Sequence, residues 1–246
     1  MSRGGQSMYD RHISIFSPEG RLYQVEYVFK AVKSCGLTSL AVRGKDSVCV
    51  VSQRKVPDKL LDPTSVTSLF KITDEIGASI LGLAADCRAM VYRARQIAAE
   101  FAHEKGYPIP VHFLAHKVAN ECQIYTQHAY MRLHAVMCVF IAIDDETGPQ
   151  VFKVDPAGHF VGYKACASGA KEQEATNALE KVVRKTAPNN CDETVQAAVE
   201  CLQTVLGVDF KPADIEVAVV TAENPKFRRL ADSEVEDHLT AIAEKD

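Results

Sequence analysis

Apolar positions along the chain recur with two periods, and the periods come in blocks. Strand-like runs cover Thr38 to Arg43 and Ser47 to Ser52, split by Gly44-Lys45-Asp46, which reads as a hairpin. Leu69 to Thr73 and Ala78 to Leu83 form a second pair around Asp74-Glu75. Asp86 is then placed to cap a helix whose Val91, Ala94, Ile97, Ala98 and Phe101 share one face. Gly106 ends that helix, and Pro108 and Pro110 forbid its continuation. Leu114, Val118, Cys122 and Tyr125 mark a second helix directly after it.

The order then repeats. Val136 to Ile143 and Gln150 to Val154 read as a hairpin around Asp144 to Gly148, and Phe160 to Ala165 as one more strand. Ser168-Gly169 reads as the start of the next helix, since both residues suit that boundary. Helical runs follow at Lys171 to Lys185 and Asp192 to Leu206, then a buried-type strand at Ile215 to Thr221 and a last amphipathic helix at Ser233 to Glu244. Strands in hairpins and helices in pairs give an α+β class with antiparallel sheets, not the strand–helix alternation of a parallel sheet. The runs around Val48 and Val136 are apolar on both faces, which suits two stacked sheets with helices outside. No Gly/Ser/Pro-rich linker divides the chain, so residues 1–246 are expected to form one domain.

The N-terminal stretch has a different character. Ile13 and Ile15 alternate with His12 and Ser14, and Ser17-Pro18-Glu19-Gly20 fits a type I turn. A helix is expected over about residues 20–33, with Leu22, Val25, Phe29 and Val32 as its apolar stripe. Met1 to Met8 are Gly-containing and mostly polar, and residues 1–12 are expected to behave as a tail. Ordering backbone costs about 1–2 kcal/mol per residue, so the tail should order only where neighbours bind it.

Composition narrows the function classes. The chain has 246 residues, 47% of them hydrophobic, and a net charge of −4. That balance disfavours a nucleic-acid partner, and no apolar run approaches 18 residues, so no membrane partner is expected. The eight cysteines form no C-x-x-C pair; Cys49 and Cys138 read as small core residues of a reducing compartment, cytoplasmic or nuclear. His112 and His116 have i, i+4 spacing but lack the Glu that a metalloprotease helix needs, Phe113 standing in that place. There is no G-x-S-x-G elbow and no P-loop; no metal and no cofactor are expected.

The residues Tyr9-Asp10-Arg11, Phe16 to Leu22, Gln24-Val25-Glu26-Tyr27 and Lys30-Ala31 resemble the N-terminal signature of proteasome alpha-type subunits. Val28 departs from it, since that family usually has Ala there. The resemblance continues through Tyr125-Thr126-Gln127, Asp155 to Gly158 and Tyr163-Lys164-Ala165. Lys55 to Leu61 and Glu223 to Phe227 are most similar to its alpha type-6 branch. The resemblance implies the four-layer αββα sandwich of N-terminal-nucleophile hydrolases. It also implies a non-catalytic subunit of the core particle's outer ring, supporting ring assembly, control of substrate admission and activator docking in ubiquitin-dependent degradation. The implied partners are neighbouring alpha subunits, beta subunits, and a regulatory ATPase cap or other activators. Tyr9, Asp10, Arg11, Pro18 and Tyr27 are the implied gate cluster, in which tyrosine hydroxyls and a carboxylate bond between neighbours.

The alternative within the same fold is an active threonine protease subunit, which uses an N-terminal Thr, a Lys and an Asp. The corresponding positions align with Leu37, Ser52 and Ser68, none of which can replace its counterpart. A homomeric archaeal-type ring is the other alternative. Ser68 also aligns with the Lys that captures an activator's terminal carboxylate in many alpha subunits; Leu22, Glu26 and Gly82 match other positions of that pocket. On this basis Ser68 weakens tail capture, and a Lys at 68 is expected to strengthen it.

Overall fold

The strands whose residues are apolar without interruption turn out to be those with no solvent on either side. The structure is a computed structural model, and it describes residues 15–128, 130–185 and 188–244. Ten strands and six α-helices are present among them. The strands are β1 (Thr38–Arg43), β2 (Ser47–Gln53), β3 (Leu69–Lys71), β4 (Gly77–Gly82), β5 (Val136–Asp144), β6 (Gly148–Val154), β7 (Phe160–Gly162), β8 (Ala165–Gly169), β9 (Ile215–Thr221) and β10 (Arg228–Arg229). The helices are α1 (Tyr23–Lys33), α2 (Ala84–Lys105), α3 (Val111–Tyr125), α4 (Glu172–Lys185), α5 (Cys191–Leu206) and α6 (Asp232–Ala243). One antiparallel sheet has the order β10-β9-β2-β1-β8 and the other β3-β4-β5-β6-β7.

Strand alternation explains the layers. In β1 and β2, Leu40, Val42, Cys49 and Val51 face a cluster with α4, α5 and α6. Their alternates Ala41, Val48 and Val50 face the second sheet, meeting Val139, Ile141 and Val151. In β5, Val136, Cys138, Phe140 and Ala142 pack with α2 and α3 instead. The result is helices, sheet, sheet, helices: the αββα sandwich implied by the sequence resemblance. Where hydroxyls enter the space between sheets they find each other, as Ser39 Oγ and Ser79 Oγ do at 2.8 Å.

Most elements fall where hydropathy places them, with a few departures. Phe160 to Ala165 is not one strand: β7 pairs with β6 in one sheet, and β8 pairs with β1 in the other. Ser168-Gly169 is the end of β8 and not a helix start; Gly169 has φ +101, and α4 begins at Glu172. Asp86 is not a cap. Leu83 occupies the N-cap of α2 with no side-chain bond, and Asp86 lies buried in the first turn. Its carboxylate accepts two hydrogen bonds from Arg132, at 2.6 and 2.8 Å, and one from Ala135 N–H at 2.9 Å. The short strand β10 carries no hydropathy signal and is identified only by its pairing with β9.

All eight cysteines are unbridged thiols, and Cys49 and Cys138 are core residues. Burial pushes the Cys87 and Cys166 thiols up to about 12. Among the described residues no helix is long and apolar enough to cross a membrane. His116 packs its ring toward Phe160 at 5.5 Å and lies 3.3 Å from Asn120 Nδ2.

Candidate functional site

The N-terminal turn is built as its residue types require. Gly20 N–H donates to Ser17 O at 2.8 Å, and Ser17 N–H to Arg21 O at 2.9 Å. Ser17 is buried and its Oγ accepts Arg21 N–H at 3.1 Å. Gly20 adopts φ +76, a conformation that disfavours a β-carbon. Arg21 spans the junction between turn and helix: its Nε and Nη2 donate to the two oxygens of Glu26 at 2.7 and 2.5 Å. That bond holds the Glu26 carboxyl below its ordinary pKa range.

Helix α1 seats on the sandwich through fewer residues than its stripe suggests. Val32 is buried against Ala135 and Met137, with Val28, Phe29 and Ala31 packed around them. Val28 is therefore part of the seat, while Leu22 and Val25 are only half-buried. The opposite side is open: Pro18 is exposed and Tyr27 is 38% exposed. Tyr27 stacks on Tyr23 at 6.5 Å, with the Lys30 ammonium 5.5 Å from its ring centre. Pro18 and Tyr27 thus share one exposed N-terminal device on a fixed seat. Tyr9, Asp10 and Arg11 lie outside the described residues.

A second site lies where β2, β3 and β4 end. Leu37, Ser68 and Gly82 line one cleft of about 410 Å³, together with Cys35, Arg88 and Glu216. Ser68 Oγ donates to Ser52 Oγ at 2.7 Å, so the three positions aligned with a threonine-protease centre do converge in space. They bring no chemistry with them: a leucine side chain and two bonded hydroxyls supply neither nucleophile, base nor charge. Leu22 and Glu26 do not line this cleft: Leu22 is the N-cap of α1 and Glu26 lies in its first turn, so the four expected pocket residues are divided between the cleft and the start of α1. Gly82 is required by space: it has φ +146, and a β-carbon there would stand 1.9 Å from Ala135 O.

The residue that sequence reasoning missed is Glu216. It sits in β9, paired in register with Ser52. Its Oε2 accepts the Thr67 hydroxyl at 3.0 Å and Ser68 N–H at 3.1 Å. A signal was available in Ile215 to Thr221: a lone carboxylate within an otherwise apolar strand, which is rarely there without a use.

Sequence comparison assigns this arrangement. The family described as "Proteasome subunit" matches residues 33–220, and the N-terminal signature of A-type proteasome subunits matches residues 9–31. The chain belongs to the proteasome subunit family. Among its relatives, the probable proteasome alpha type-1 subunit of Schizosaccharomyces pombe is 49% identical, over 97% of this chain and 98% of the relative. The proteasome alpha type-6 subunit of Caenorhabditis elegans is 44% identical over the full length of both chains. The proteasome alpha subunit of Methanothermobacter thermautotrophicus is 36% identical, over 95% of this chain and 93% of the relative. The signature and these relatives make the chain an alpha-type, non-catalytic proteasome subunit, as Leu37, Ser52 and Ser68 imply.

Proposed function

We propose that this alpha subunit is a structural and gating member of the outer ring of the proteasome core particle. It would act in ubiquitin-dependent degradation in cytoplasm and nucleus, as one domain carrying a gate tail. The observation that carries the reading is the exposed Pro18 turn and Tyr27 face, held on a buried seat within the matched N-terminal signature. Pro18 fixes the backbone that leads to the tail, and Tyr27 lies partly exposed on the helix that follows the turn. Tyr9, Asp10 and Arg11 complete the proposed cluster by bonding across to a neighbouring alpha subunit. Beta subunits on one side and a regulatory ATPase cap or other activator on the other are the further partners.

Deletion of residues 1–8 tests the gate. The truncated chain is expected to fold and to enter the particle, and basal hydrolysis of short peptides by that particle should rise severalfold. Basal hydrolysis equal to that of the unmodified particle counts against a gate role for this tail. Native mass spectrometry of the same preparation separates a mixed ring, which contains other alpha chains, from a ring of one chain only.

A further inference from the structure

Cys35 and Cys87 lie far apart in sequence and line the same cleft of about 410 Å³. Cys35 stands just beyond the end of α1, where its N–H donates to Val32 O at 3.2 Å. It is half-buried, and its thiol turns to Leu37 O at 3.8 Å, a weak sulfur hydrogen bond. Cys87 belongs to the first turn of α2 and is buried, with its N–H donating to Leu83 O at 2.8 Å. The largest charge effect on the Cys87 thiol comes from Cys35, ahead of the adjacent Asp86, which places the two sulfurs close together.

The two thiols are unequal. Cys35 has the partly exposed, cation-lined setting in which thiols react, since Arg54, Lys55 and Arg88 line the cleft with it. Burial pushes the Cys87 thiol up to about 12, which keeps it protonated and slow towards an oxidant on its own. Such a thiol can still close on an oxidised neighbour. Cys138, another thiol near Cys87, is enclosed in the core and does not line the cleft.

We propose that Cys35 and Cys87 are a peroxide-sensitive pair that closes a disulfide across the cleft and ties the end of α1 to the first turn of α2. The Cys35 sulfur attacks hydrogen peroxide. The O–O bond breaks, Cys35 becomes a sulfenic acid, and the departing hydroxide leaves as water with the Cys35 proton. The Cys87 sulfur then attacks the Cys35 sulfur. The S–O bond breaks, and the second hydroxide leaves as water with the Cys87 proton. Two thiols and one peroxide thus give one disulfide and two waters. Cys35 follows closely on Val32, the buried centre of the α1 seat, so the bond adds a covalent tie to that seat. Its formation does not depend on a gate role for α1.

The test treats the assembled core particle with hydrogen peroxide and removes the excess with catalase. The chains are then unfolded in excess alkylating reagent and digested with trypsin without reduction. Residues 34–43 and 72–88 are separate tryptic peptides, each with one cysteine. Mass spectrometry should find them joined, lighter by two hydrogens than their sum. Alkylation at Cys35 and Cys87 should be lost together, and dithiothreitol should restore it. Cys87→Ser should leave a sulfenic acid on Cys35 that dimedone traps, while Cys35→Ser should leave the Cys87 thiol intact through the same treatment. Hydrogen exchange in α1 should slow on oxidation of the unmodified particle and not of the Cys35→Ser particle. Peptides that stay unjoined overturn the proposal. So does joining of residues 72–88 to the peptide that carries Cys138, or oxidation of Cys35 to the sulfinic acid with Cys87 still free. The peptide map of the unmodified chain decides between these outcomes even where a variant fails to assemble.

Discussion

Gly82→Ala should destabilise the fold by about 3 kcal/mol or more, among the largest effects of any single methyl group in the chain. Two costs add. The backbone at φ +146 excludes L-residues, and the new β-carbon would stand 1.9 Å from the carbonyl oxygen of Ala135. That oxygen cannot move away freely, because it accepts Leu83 N–H at 3.0 Å. Relief requires shifting β4 against β5, which breaks the pairing of Gly82 with Val136. The effect should spread to the N-terminus, because Ala135 is also part of the seat under Val32. Denaturant unfolding of the purified chain measures the loss. Hydrogen exchange should show α1 loosening with it, and a variant with unchanged stability would show that the joint relaxes at little cost.

Asp86→Ala should cost about 1.5–3 kcal/mol, the scale of hydrogen bonds to a charged group. Arg132 is 65% exposed and its share is screened by solvent, so most of the loss comes from the buried end. There Ala135 N–H is left without an acceptor. The pH dependence has a definite sign. The Arg132 bond holds the Asp86 carboxyl below its ordinary range against the opposing effect of burial, and the Ala135 N–H bond adds to the lowering. Its contribution is therefore complete above the unfolded value of about 3.9 and is lost as pH falls through the folded-state value. The stability gap between the unmodified chain and Asp86→Asn should be constant near neutral pH and narrow on acidification below about pH 4. A gap that does not change with pH would remove the ionised carboxylate from the account.

Both substitutions strike one joint. Residues 82–86 and Ala135 link the mouth of the cleft, the start of α2 and the seat of α1. The exposed Pro18 turn thus depends on contacts made far from it in sequence, and the proposed gate and the cleft share a support.

How much of this was legible beforehand follows from the range of each interaction. Strand and helix positions were readable because burial imposes a period, 2 in strands and 3.6 in helices, on residues close in sequence. Strands buried on both faces lose that alternation, and their continuous apolar runs announced two packed sheets. The turn at Ser17 to Gly20 was readable because proline and glycine restrict their own backbone. The alpha-type assignment was readable because residues 9–31 combine many fixed identities in a local device.

Tertiary structure alone decided the rest. Phe160 to Ala165 is a single extended run by hydropathy, yet the chain passes between sheets within it, since each half finds its partner strand elsewhere. Asp86 looked like a cap because a cap is the nearest use for an aspartate before a helix; its partner Arg132 lies 46 residues away. Glu216 is separated from Thr67 and Ser68 by almost 150 residues, and only the stacking of β9 beside β2 brings them together. Periodicity records which side of an element is buried. It does not record what the buried side meets, and the chemistry of the cleft resides in that meeting.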